Sequence, residues 1–150
     1  MTQRAGENGS SLIELALILP VALLVACGIF NYAFWIRREM VLQEGAAAGA
    51  AYGALPGNAH DSTGMVQTAN YSVTGSASGN SAITVTATNF YACSPGGSQV
   101  TASTSCSAGA PYHYVQVTTS MTPNATVRSV LLPANITLTG QATFRVETYP

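Results

Sequence analysis

Residues 10–55 read SSLIELALILPVALLVACGIFNYAFWIRREMVLQEGAAAGAAYGAL, and the organisation of the chain follows from this stretch. From Leu15 to Ile36 there are 22 residues without a charge. At about 1.5 Å per residue a helix of that length spans roughly 33 Å, enough for a hydrocarbon core of about 30 Å. Ser10 or Ser11 supplies a helix cap, and Glu14 follows Ser11 at the capping-box interval. Pro20 lies inside the run and removes one backbone hydrogen bond, which a membrane helix tolerates when neighbouring groups re-satisfy the freed carbonyl. Beyond the interfacial Arg37-Arg38-Glu39, the alanine-rich tail continues the helix to about Ala54, where Pro56-Gly57 stops it. A rod from Ser10 to Ala54 is roughly 65 Å long, too long for a 15.4 kDa chain to bury by itself. Gly45, Gly49 and Gly53 recur on one face of its C-terminal part. Each costs about 1 kcal/mol relative to alanine in a helix, a cost that close approach by another backbone offsets.

The remaining residues are of another kind. Of the 150 residues, 47% are hydrophobic and only 7% charged, and no lysine is present. A soluble globular domain carries about 25% charged residues, so a free-standing cytosolic enzyme does not fit. With a net charge of -1 and no basic cluster, nucleic acid is excluded as a partner. From Pro56 to Pro150 the only charges are Asp61, Arg128, Arg145 and Glu147, whereas 28 positions are Ser or Thr. Asp61 caps a short helix expected over 62–69. Period-two alternation marks strands at 83–88, 114–118, 136–139 and 142–146, each with an apolar and a hydroxyl face. Gly140-Gln141 between the last two is placed for a tight hairpin, and Pro123, Pro133 and Asn135 punctuate a longer excursion before them. The expected fold class is therefore α+β: a long N-terminal transmembrane helix packed by its C-terminal half on a small antiparallel sheet of three to four strands.

Cys93 and Cys106 flank SPGGSQVTASTS, a loop of small and polar residues that a disulfide would shape. Such a bridge forms in an oxidising compartment. Cys27 is left over within the apolar helix. Leu24-Val25-Ala26-Cys27 has the look of a lipoprotein cleavage box, but the residues after Cys27 continue the apolar span instead of opening into a polar tether. His60 and His113 assemble no site in the sequence, and the spacing of Cys93, Cys106 and His113 is unlike that of zinc ligands. His113 between two tyrosines reads as a surface or strand-edge residue. No phosphate loop or nucleophile elbow occurs, so neither a catalytic residue, a metal nor a cofactor is expected.

Glu14 is a lone carboxylate at the mouth of the apolar run, where an ionised group needs a partner. One partner is the helix dipole together with the headgroups. Another is the new amine that hydrolysis between Gly9 and Ser10 would create on a neighbouring subunit. The segment Gly9-Ser10-Ser11-Leu12-Ile13-Glu14, followed by the apolar helix with Leu19-Pro20 and a small-residue run ending at Tyr52-Gly53-Ala54, resembles the TadE/TadG-like pseudopilins of tight-adherence (Flp-type) pilus systems. Leu15 stands where an aromatic is common in such proteins.

The resemblance implies a minor pilin, not an enzyme, cut between Gly9 and Ser10 by a prepilin peptidase, with Glu14 serving subunit assembly. The implied partners are that peptidase, other pilins and pseudopilins, the assembly platform and the membrane. The corresponding organisation is a leader at 1–9, a transmembrane helix at 10–36, its continuation at 37–55 and a β-rich domain at 56–150. That domain is expected in the periplasm or outside the cell, with the chain anchored in the inner membrane. Arg4 on one side and Arg37 and Arg38 on the other leave the positive-inside count undecided; the cysteine pair and the lysine-free surface favour the oxidised side. Two alternatives carry no pilus role: a single-pass anchored domain with an intact N-terminus, and a lipoprotein beginning at Cys27.

Overall fold

A computed structural model of the protein describes residues 7–76, 78–79, 82–122 and 137–147. The chain divides into two compact units, Met1–Arg37 and Arg38–Pro150. The element order is α1 (Glu7–Ala54), α2 (Ser62–Thr74), β1 (Ile83–Ala92), β2 (Gln99–Val100), β3 (Tyr112–Met121) and β4 (Leu138–Arg145). The helix starts at Glu7, ahead of the serine cap expected from sequence, so the Gly9-Ser10 junction is itself helical.

In the first unit, α1 is apolar on every side. Leu12, Ile13, Leu17, Leu24, Ile29 and Phe30 are each more than 60% exposed. A helix with that surface needs lipid or other helices around it. It is the one helix among the described residues long and apolar enough to cross a membrane. Asn31 places a polar amide in this run and satisfies it locally, Nδ2 donating to the carbonyl of Cys27 at 3.0 Å.

The second unit has a core of its own. A four-stranded antiparallel sheet runs β2-β1-β3-β4. Val85 and Ala87 of β1, Val115, Val117 and Thr119 of β3, and Leu138 and Ala142 of β4 lie on its inner face. Against them pack Leu42, Ala46 and Ala50 of α1 and Met65 and Ala69 of α2, all buried. The outer face carries three cross-strand rows, Thr84–Ser120–Thr139, Thr86–Thr118–Gln141 and Thr88–Gln116–Thr143. Period two thus separates apolar and hydroxyl faces as the alternation requires.

Two local expectations change. The segments at 136–139 and 142–146 are not a hairpin; Leu138–Arg145 is one strand pairing with β3 throughout, while Ile136 and the Pro123–Asn135 excursion lie outside the described residues. Gly140 serves a different need from a turn. A Cβ there would sit 2.5 Å from the backbone N of Gln43 and 2.6 Å from the carbonyl O of Leu42, so glycine lets α1 cross the strand closely. The fourth strand is instead β2, two residues inside the cysteine loop that pair with Tyr91 and Ala92.

The β4 edge is capped by α1. The Gln43 side chain accepts from the backbone N of Gln141 at 3.0 Å and donates to its O at 2.8 Å, replacing the strand that a sheet edge lacks. Farther along, the N–H of Glu147 donates to the Ala54 carbonyl at 3.0 Å, satisfying an orphan acceptor at the end of α1. Buried Thr119 donates its hydroxyl to the Leu42 carbonyl at 2.8 Å.

Candidate functional site

The residues singled out by sequence occupy three separate places. The first is the start of α1. Gly9 and Ser10 have helical backbone, and Glu14 one turn later is exposed and forms no hydrogen bond or ion pair with any described residue. Leu12, Ile13, Leu15 and Leu17 around it are exposed as well. The carboxylate therefore stands unpartnered in an apolar surface, the setting in which a charge from another molecule would be valued most.

The second place is the packed end of α1, where the three glycines meet elements of their own chain. A Cβ at Gly45 would collide with Val73. At Gly49 it would lie 2.7 Å from the Met65 carbonyl O, 3.0 Å from Ala69 Cβ and 3.3 Å from Val117 Cγ1. At Gly53 it would press on the Met65 side chain and on Val115 Cγ2 at 3.3 Å. The backbone that approaches this face is thus that of α2, and the sheet meets it through the side chains of Val115 and Val117. The corner between the helices is held by Asp61, whose carboxylate accepts from the N–H of Gly64 at 2.9 Å and from the Tyr52 hydroxyl at 2.9 Å. Those two hydrogen bonds, Gly64 first, hold the Asp61 carboxyl below its ordinary value of 3.8, and the same carboxylate raises the Tyr52 phenol above its ordinary 10.0.

The third place is the far end of the sheet. Cys93 and Cys106 are joined by a disulfide with Cα atoms 5.5 Å apart, which closes the loop that carries β2. On the outer face nearby, the Arg145 guanidinium lies over the Tyr112 ring at 4.1 Å, and Phe90 stacks on Tyr114. Cys27 is unpaired and exposed in the apolar run.

One juxtaposition was not legible in sequence. His60, in the turn after α1, lies 5.4 Å ring to ring from His113 of β3, and His113 stacks on Tyr91 at 4.5 Å. His113 is half-buried on an inner strand of the sheet, and its Nε2 is buried and unpartnered among the described residues. Burial first, and the neighbouring His60 second, lower its pKa from the usual 6.5. A turn and a strand 53 positions apart carry the two rings, so no spacing rule could have paired them. No cluster of three metal-ligating side chains occurs among the described residues.

An exposed apolar N-terminal helix of membrane-crossing length, with an unpartnered carboxylate near its start, leads into a small sheet domain, an α+β arrangement compatible with single-pass anchoring. Residues 9–51 match the family model described as TadE-like protein. The likeness is to a family of tight-adherence pilus systems and covers under a third of the chain. No curated protein and no solved structure gives a match.

Proposed function

We propose that this protein is a minor pilin of a tight-adherence pilus, made as a precursor that a prepilin peptidase cuts between Gly9 and Ser10. The observation that carries the proposal is Glu14: exposed, without a partner among the described residues, and set within the family-matched segment on an otherwise apolar helix surface. The mature α1 anchors the subunit in the inner membrane until it leaves for a helical bundle. There Glu14 neutralises the Ser10 amine of a neighbour, and in an apolar bundle that pair replaces two charges that would be costly alone. The sheet domain, with its disulfide and its hydroxyl-rich face, stays on the outer side of the membrane.

Intact mass and N-terminal sequence of the mature protein test the processing step. A start at Ser10 is expected; a start at Met1 or Thr2 identifies an anchored domain with no leader, and lipid-modified Cys27 identifies a lipoprotein. Substitution of Gly9 is expected to retain the leader. Glu14→Ala is expected to be cleaved normally but to lose piliation, and full piliation in that variant rejects the amine partner. Residues after Pro56 that react as cytoplasmic in a cysteine-accessibility map reject the outward domain.

A further inference from the structure

The two edges of the sheet are not alike. Gln43 of α1 covers the β4 edge, and Gly140 lets the helix approach it. At the other edge β2 pairs only with Tyr91 and Ala92, so residues 83–90 of β1 have β3 on one side and, among the described residues, no strand on the other. The Thr84 carbonyl accepts from the Ser120 hydroxyl at 3.4 Å and the Thr118 carbonyl from the Thr86 hydroxyl at 3.5 Å, so Thr84 and Thr86 turn their backbone groups toward β3. By alternation the N–H and C=O of Ile83, Val85, Ala87 and Asn89 turn outward. Nothing on this stretch guards an open edge: it holds no charge and no proline, and its pairing with β3 runs without a bulge. The apolar layer thins out here as well. Val115 and Val117 of β3 are fully buried, whereas Ile83, Val85 and Ala87 are only half-buried.

We propose that residues 83–89 pair, antiparallel, with the same residues of a second copy about a two-fold axis at Thr86, joining the two four-stranded sheets edge to edge. A second copy, and not an unrelated strand, is favoured because the stretch complements itself. Apolar and hydroxyl faces stay continuous across such a junction only when opposed positions have the same parity, so the axis must pass through a residue. Thr86 is the midpoint of 83–89. That axis sets Thr86 opposite Thr86, Thr84 opposite Thr88, Val85 opposite Ala87 and Ile83 opposite Asn89. On the hydroxyl side the new neighbours are Thr–Thr pairs, which are favourable across strands, and no like charges are opposed. On the inner side the half-buried row gains apolar neighbours. Outward-turned residues meet outward-turned residues, so their backbone groups bond reciprocally. Ile83 follows directly on a turn at Ala82, and β2 reaches only to the level of Tyr91, so the incoming strand fits without displacing β2. The contact is isologous and closes as a dimer. It uses the sheet domain alone and holds whether or not the leader is cut.

The test measures the mass of the full-length chain in detergent by light scattering over a range of concentrations, and the parent is expected to dimerise. Thr84→Lys with Thr88→Lys sets lysine against lysine in both of those pairs and is expected to weaken dimerisation roughly tenfold. Thr84→Lys with Thr88→Glu alters the same two positions but sets each lysine against a glutamate, and is expected to keep the dimer. Formation of the Cys93–Cys106 bridge reports folding of each variant. In a Cys27→Ser background, Thr86→Cys is expected to form a disulfide between copies in the membrane, because the Cα atoms of such a pair lie about 4.5 Å apart, within disulfide reach. Thr139→Cys, exposed on β4 away from this edge, is expected to form none. A parent that stays monomeric overturns the inference, even if another protein is found on this edge. So does a two-lysine variant as dimeric as the parent, a lysine–glutamate variant as weak as the two-lysine one, or cross-linking at Thr139 equal to that at Thr86.

Discussion

Replacing Gly49 with alanine sets two effects of opposite sign against each other. In a free helix the change gains about 1 kcal/mol, because alanine has the higher propensity. Here the new Cβ would lie 2.7 Å from the Met65 carbonyl O, 3.0 Å from Ala69 Cβ and 3.3 Å from Val117 Cγ1. The first contact is with backbone of α2 and the second with a side chain that has no rotamer to change, so relief requires α2 to move away from α1. Overpacking of this kind costs typically 1–3 kcal/mol, and contact on two sides puts Gly49 at the upper end. The net expectation is a loss of about 2 kcal/mol, obtained as about 3 from overpacking less about 1 from propensity. For a domain of this size that is a fall in Tm of roughly 8–15 °C. The assay is thermal unfolding of the full chain in detergent, followed by near-ultraviolet circular dichroism of the tyrosines in the sheet domain. Gly28→Ala, where a Cβ meets nothing within 4 Å, serves as the control and should not lower Tm. Gly45→Ala should cost less than Gly49→Ala, since its main obstacle is the Val73 side chain. A Gly49→Ala protein as stable as the parent would refute the view that this glycine is required by the approach of α2.

Further outcomes follow from other contacts. Cys93→Ser with Cys106→Ser opens a loop with a sequence separation of 13; on the chain-entropy model this removes about 3 kcal/mol, measurable as a lower denaturant midpoint, with no further drop on adding reductant. Gln43→Ala uncovers the N–H and C=O of Gln141 at the β4 edge; a loss of about 1 kcal/mol and faster amide exchange at Gln141 are expected, and unchanged exchange would mean that the cap is idle. The folded-state pKa of His113 is lowered, so the unfolded chain takes up that proton first. Stability is therefore full above the ordinary histidine value of 6.5 and declines as pH falls from there toward the folded pKa. Asp61, also lowered, adds a second decline as pH falls from its ordinary 3.8 through its folded pKa. His113→Phe should remove the first decline and keep the second, as read by Tm across pH.

The apolar length from Leu15 to Ile36, the hydroxyl alternation and the Asp61 cap are local facts of composition and period, and they establish the membrane-length helix, α2 and the two-faced strands without reference to anything distant. The resemblance over the first third of the chain is equally local, since consecutive residues carry it. Tertiary structure decided the rest. Gly140 looked like a turn because glycine opens two possibilities, a reversal or a close crossing, and only the presence of Leu42 and Gln43 against it selects the second. The glycine face of α1 signalled close packing, but that its partners are α2 and β3 depends on which elements the sheet brings beneath it. His60 and His113 became neighbours through the same folding, since a pair of rings carried by a turn and a strand has no periodicity to announce it. The chain's own pattern determined which elements form; which surface each one buries, and therefore which face of α1 stays exposed, was settled by how those elements pack.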